Sequence, residues 1–353
     1  MKVKFFSANL AKFFSANLLC VAFALLFAPN LVLADAENSD FHTIDLGYNK
    51  NIYGVSQIEA IKNWGLNTQT SGIISDSVLI GEGKSAERLT SGEKITGIRA
   101  INGFGELFTI LQEKYFAVIF LCVILFVPLA FLGHFKIIGA RHYNHASKLR
   151  VFSKYNILVH WFAAVPCVII CITGLMMVFG AYLGGGALVR FARDLHGLCT
   201  PIFAVFGTLM FAMWVKDCLP KMHDIKWFAI MGGYLDKVNR VVPAHKFNAG
   251  QKIWFWIATI GGAVMVITGA IMFFQCANIN ALRLTAMIHN VMGFAFWAML
   301  ITHIYMAAFA IEGALESIIN GNMGEEEVSM LHSLYYEDLK KSGKLDSMRV
   351  AGH

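Results

Sequence analysis

From residue 115 onward the chain alternates between long apolar runs and polar, charged loops. Five runs are long enough to cross a bilayer: 115–135, 157–182, 195–215, 253–274 and 284–312. A helix needs roughly 20 apolar residues to cross about 30 Å of hydrocarbon. Within lipid, a helix satisfies all its own backbone hydrogen bonds. The pattern therefore predicts an all-α integral membrane protein, a transmembrane helix bundle. Residues 35–112 read differently. Stretches such as NSDFHTIDLGYNKNIYG and GEGKSAERLTSGEK have no apolar period and are expected to form an exported soluble segment, part of it ordered only against a partner. Ahead of it, residues 1–34 run from Lys2, Lys4 and Lys12 through LLCVAFALLFA to a small-residue end, as a secretory signal peptide cut after Ala34 does. An uncleaved anchor is the alternative. The repeat of KFFSANL at 4–10 and 12–18 reads as slippage in a tolerant leader, and Leu19 is too large for a usual lipoprotein site at Cys20. Residues 316–353 are charged and read as a surface tail, helical in part, in which His332 needs no function.

Composition agrees with the pattern. At 57% hydrophobic residues and a mean hydropathy of +0.58, the chain is too apolar for an ordinary soluble protein. The net charge of +6 is modest, and nothing in it calls for nucleic acid. Its distribution is more informative. Loop 136–156 carries Lys136, Arg141, Lys148, Arg150 and Lys154, and loop 216–252 carries seven further Lys and Arg, whereas the alternate loops hold Arg190, Arg193 and Arg283. By the positive-inside rule, the mature N-terminus lies outside and the C-terminal tail in the cytoplasm of a bacterial inner membrane. Seven cysteines include no CxxC pair and no CxxCH, which argues against zinc, thiolate-held iron–sulfur clusters and covalently attached haem. Cys122, Cys167, Cys171 and Cys276 are expected to be packing residues.

Candidate chemistry resides in four of the twelve histidines. An ionisable side chain inside a span is costly, and a functional role is its default reading. The last run contains His289 and His303, fourteen residues apart. That is forty degrees short of four turns, so both lie on one helix face about 21 Å apart, one near each membrane surface. The orientation above makes His289 outer and His303 inner, and puts His160, in NILVHWFAAV, inside and His196, in ARDLHGLCTPIF, outside. Depth then pairs His196 with His289 and His160 with His303. Two bis-histidine sites at two levels are what a diheme cytochrome b requires, and filled axial positions suit a haem to electron transfer. The plainer alternative is that these histidines are satisfied by neighbouring helix carbonyls. Gly174, fourteen residues after His160, and Gly293, one turn after His289, could leave room for a haem ring or simply let helices approach. Histidines 134, 142, 145, 223 and 245 are expected at span ends and in loops as surface or interface side chains. His42 is expected to be solvated.

Before the fourth run stands AHKFNAGQKIWFW, 244–256, an interfacial turn in which Asn248 could also be a plain helix cap. The KFNAGQK run, the His-Trp pair at 160–161 and the H-x13-H-I-Y of the last run together resemble the cytochrome b (gamma) subunit of membrane-bound formate dehydrogenases, over about residues 145–315. The resemblance implies a four-helix diheme cytochrome b domain at 145–315 with one extra N-terminal span, 113–135. It implies an iron–sulfur beta subunit on the outer face feeding the haem on His196 and His289, and an inner haem on His160 and His303. It further implies a menaquinone-type quinone bordered by Asn248, Gly250 and His303, and formate oxidation on a molybdenum- or tungsten-containing alpha subunit. Many members of that family have four spans and no signal peptide, so the exported segment and extra span are departures from it. The rivals are the cytochrome b subunit of a nickel–iron hydrogenase or of a thiosulfate or polysulfide reductase, and, in another class, a haem-free transporter or scaffold.

Overall fold

The structure, a computed structural model, describes residues 103–350 apart from 181 and 278. The leader, its cleavage site, His42 and most of the exported segment lie outside the described residues. The fold is a transmembrane helical bundle. Five helical stretches are long and apolar enough to cross a membrane: Leu107–Ile137, Lys154–Val178, Gly186–Trp214, Ala249–Phe274 and Asn280–Ala310. The long helices are α1 (Ala117–Ile137), α2 (Lys154–Val178), α3 (Gly186–Trp214) and α7 (Ile279–Tyr305). Between α3 and α7 come α4 (Met222–Ala229), α5 (Ala249–Trp256) and α6 (Gly262–Phe274).

Helix extends beyond the apolar runs at several ends. A helical segment begins at Gly103, inside the stretch read as soluble, and runs through a π-helical turn, Leu111–Phe116, into α1. The helix α3 begins at Gly186 and carries Arg190, Arg193 and Asp194 before its apolar part. Once a first turn exists, each further residue gains a backbone hydrogen bond, so hydropathy marks the buried stretch of a helix better than its ends. Pro128, Pro166 and Pro201 lie inside α1, α2 and α3, as membrane helices tolerate.

The chain forms two compact units. Of the described residues, the first comprises those up to Leu121 and those within Val165–Ile202 and Val264–Gly293. Phe108, Leu282 and Ala286 form one of its apolar clusters. The second comprises Cys122–Ala164, Phe203–Ala263 and the described residues from Phe294 onward, and it holds the polar loops and the C-terminal tail.

That tail is folded. Strand β1 (Lys148–Arg150) pairs antiparallel with β2 (Asn322–Gly324), with Leu149 opposite Met323. Two short helices follow, α8 (Glu325–Leu331) and α9 (Ser333–Lys341). Leu149, Val151, Met323, Val328, Leu339 and Leu345 make a buried core beneath them. Gly321, at φ +86°, turns the chain into β2, and its carbonyl accepts from the amides of Val151 and Phe152. His332 is buried, with Nδ1 2.7 Å from the His245 carbonyl, and so is a packed residue of the tail rather than a surface one. Cys167 and Cys171 are buried, as packing residues should be, whereas Cys122 and Cys276 are exposed on the protein surface.

Candidate functional site

Each compact unit contains one histidine pair. In the first, the rings of His196 on α3 and His289 on α7 have centroids 6.4 Å apart at an interplanar angle of 50°. In the second, the rings of His160 on α2 and His303 on α7 have centroids 6.3 Å apart at 51°. These are the two pairs expected from depth. Among the described residues no cluster of three or more His, Cys, Asp or Glu could hold a metal, so any metal centre built from these pairs needs a ligand that fills its remaining positions.

The pairs fit an iron atom already held in a porphyrin plane. Imidazole binds metals at about 2 Å, and with roughly 1.1 Å from nitrogen to ring centre, two axial rings on one ion sit about 6 Å apart. A direct hydrogen bond between the rings would bring them closer. Among the described residues, the buried Nδ1 of His160 has no hydrogen-bond partner.

The two pairs are held by different means. Around His196, Thr173 on α2 lies with Oγ1 3.1 Å from Nδ1, and a Cβ on Gly174 would stand 3.6 Å from Cε1. Around His289 the same two residue types recur on α6: Thr268 Oγ1 is 2.9 Å from Nδ1, and a Cβ on Gly269 would stand 3.5 Å from Cε1. Sequence reasoning missed both threonines. Their signal was the tripeptide Ile-Thr-Gly, present within two spans at 172–174 and 267–269. Gly174 lies against the His196 ring, whereas Gly293 accommodates a neighbouring side chain, since a Cβ there would meet Phe120 Cζ at 3.0 Å.

The second pair is set by aromatic packing. Trp254 on α5 stacks on His303 at 5.3 Å and 22° and also meets Phe296 edge to face at 5.6 Å. Trp161, beside His160, donates its indole N–H to the Ile318 carbonyl at 2.8 Å.

The NAGQK turn has structural work of its own. Asn248 caps α5: its Oδ1 accepts from Gln251 N at 3.0 Å, and Gln251 Oε1 accepts from Asn248 N at 2.9 Å. This reciprocal pair satisfies two otherwise orphaned amides. Gly250 makes way for Trp227, whose Cη2 would lie 3.0 Å from a Cβ. One turn on, Lys252 donates to both carboxylate oxygens of Asp224 at 2.9 and 2.8 Å, and the pair is nearly sealed from solvent. Burial acts to raise the Asp224 acid, but the Lys252 ammonium and the Lys221 amide overcome it and hold the group below the usual carboxylate range. His223 and His245 lie beside this pair with ring centroids 4.9 Å apart. Burial holds both below the ordinary imidazole value.

The extra span takes part in this unit. His134, near the end of α1, has Nδ1 2.6 Å from the Tyr305 hydroxyl and Nε2 2.7 Å from the Tyr234 carbonyl. Beyond it, Arg141 is buried and donates to the carbonyls of Gly233 and Asp236 and to Asn239 Oδ1. His134 and Arg141 therefore have specific internal partners.

Residues 151–321 match the family of prokaryotic cytochrome b561. The nitrate-inducible formate dehydrogenase cytochrome b556(Fdn) subunit of Escherichia coli K12 is 24% identical over 208 residues, covering 56% of this chain and 94% of that protein. The formate dehydrogenase cytochrome b556 subunit of Haemophilus influenzae is 25% identical over 213 residues, covering 54% and 88%. The cytochrome b556(fdo) subunit of E. coli K12 is 24% identical over 194 residues, covering 52% and 89%.

Proposed function

Since residues 151–321 match the prokaryotic cytochrome b561 family and the chain is similar to formate dehydrogenase cytochrome b556 subunits, we propose that it is the cytochrome b subunit of a formate dehydrogenase complex. It would pass electrons from an iron–sulfur subunit on the outer face through two b haems to a menaquinone-type quinone near the cytoplasmic face. His196 and His289 would hold the outer haem, and His160 and His303 the inner. Haem b held by these histidines would supply a one-electron couple suited to electron transfer. The observation that carries this reading is the matched spacing of the two ring pairs, 6.4 and 6.3 Å.

The rest of the assignment follows from sidedness. The mature N-terminus and residues 35–112 would lie outside, beside the iron–sulfur beta subunit and the molybdenum- or tungsten-containing alpha subunit on which formate is oxidised. The tail would lie in the cytoplasm of a bacterium whose inner membrane holds the complex. Asn248, Gly250 and His303 would border the quinone, with the capping box and the Trp227 contact giving the turn its fixed shape. Reduction of the quinone draws protons from the cytoplasm while negative charge moves inward, so the step is electrogenic.

The test is haem analysis and a reduced-minus-oxidised spectrum of the purified protein. Two b haems per chain are expected in the parent, one each in His303→Ala and His196→Ala, and co-purifying iron–sulfur and molybdenum or tungsten subunits. A parent protein without b-type absorption would defeat the reading.

A further inference from the structure

The hydrogen bonds around His196 and His289 determine which nitrogen of each ring carries the proton. A threonine hydroxyl has one hydrogen to give. Thr173 Oγ1 lies 2.7 Å from the Ile169 carbonyl and 3.1 Å from that of Ile170. Thr268 Oγ1 lies 2.7 Å from the Val264 carbonyl and 3.1 Å from that of Met265. Carbonyls accept only, so each hydroxyl hydrogen is taken by its own helix, and the oxygen faces its histidine as an acceptor. Nδ1 therefore carries the proton in both rings, and Nε2 is the nitrogen with a free lone pair.

The arrangement occurs twice with the same parts. An Ile-Thr-Gly segment on one helix meets a histidine on another, the hydroxyl at Nδ1 and the glycine at Cε1, once between α2 and α3 and once between α6 and α7. Among the described residues nothing equivalent holds His160, whose Nδ1 has no partner there. A ligand imidazole that donates its second N–H to an acceptor becomes a stronger base toward the metal, which favours the more oxidised ion. Hydrogen bonding of this kind is one of the settings of a haem potential.

We propose that Thr173 and Thr268 are positioning residues for the haem held by His196 and His289: each fixes its ligand in the Nδ1–H form and together they hold that haem's midpoint potential down. The inference rests on the haem reading above. For electrons entering on that side, a lowered potential at the point of entry makes the onward transfer downhill.

The experiment is a potentiometric titration of the b bands in the purified, haem-loaded protein. The parent should titrate as two components. Thr173→Val and Thr268→Val, which keep shape and remove the acceptor, should each raise the potential of the same component, and together raise it further, with the other unmoved. Thr173→Ser and Thr268→Ser should restore the parent value. Should a valine variant lose its haem, Thr→Cys against Thr→Ser decides, because the thiol is the weaker acceptor and should give the higher potential. Valine variants that move different components, or that move none with both haems present, would overturn the proposal, as would equal potentials for the Ser and Cys variants. A parent protein without haem would instead bring down the reading beneath it.

Discussion

The surroundings of His196 and His289 contrast with those of His160 and His303. Both pairs present rings at nearly the same separation and angle. The first pair is oriented by threonine hydroxyls through short, directional, uncharged hydrogen bonds. The second is oriented by the face of Trp254 and lies in a unit whose loops carry a buried ion pair, a buried glutamate and a folded tail. Similar ring geometry is thus reached by two physical routes with different sensitivities. A neutral hydrogen bond between buried groups does not respond to pH or salt, whereas structure resting on buried charge responds to both.

The strongest way to break this contrast is Asp224→Asn. It would leave the Lys252 ammonium buried without its carboxylate, and losing one partner of a buried pair costs about 3–5 kcal/mol. A lower melting temperature is expected and, if the two histidine pairs hold haems as proposed, the haem on His160 and His303 should be lost before the other as temperature rises. Simultaneous loss of both haems would dissolve the contrast. Replacing both residues, Asp224→Leu with Lys252→Met, should recover most of the stability.

A smaller effect is expected at Glu327. Burial pushes its carboxyl up to about 7, and Oε2 has no hydrogen-bond partner. The folded state therefore favours the neutral acid. Its contribution is complete below the unfolded value near 4.5 and is lost as pH rises through 7. Glu327→Gln should leave stability unchanged at pH 4 and raise it at pH 8, by at most about 3 kcal/mol. Melting curves at the two pH values measure this, and equal curves for parent and variant at pH 8 would contradict it. The spectrum of the His196–His289 haem should not change with either the variant or the pH.

The smallest effect concerns Asn248. Asn248→Ala removes the cap of α5 and should cost about 1 kcal/mol, while Asn248→Asp keeps the acceptor and should cost less. Chemical denaturation of the detergent-solubilised protein distinguishes the two. Equal losses would mean that the amide Nδ2, not the capping oxygen, matters at this turn.

The spans were legible in the sequence because a bilayer imposes a length and a polarity that no other element satisfies. The histidine pairing was legible because it follows from helix pitch and loop charge. The threonines were not, since residues 23 and 21 positions from their histidines meet only through the packing of separate helices, which no periodicity reports. The tail was obscured by its composition. Glu325, Glu326 and Glu327 look like a solvated run, yet Glu327 and Val328 face inward while the carboxylate of Glu325 binds the Arg349 guanidinium. A three-residue strand such as β1 is too short to leave a pattern. Asn248 was read as both quinone neighbour and helix cap, and the cap is what its hydrogen bonds display.

The clasp between His134 and Tyr305 bears on any effort to trim this protein to a minimal four-helix version. Tyr305 lies two residues beyond His303 on the same helix, so deleting everything before residue 145 would strip its hydroxyl of the imidazole it meets at 2.6 Å. The same cut would remove the guanidinium of Arg141 from the carbonyls of Gly233 and Asp236. The additional helix is thus stitched into the one that carries His303, and a shortened chain would need replacement partners at both stitches before its spectrum could be compared with that of the parent.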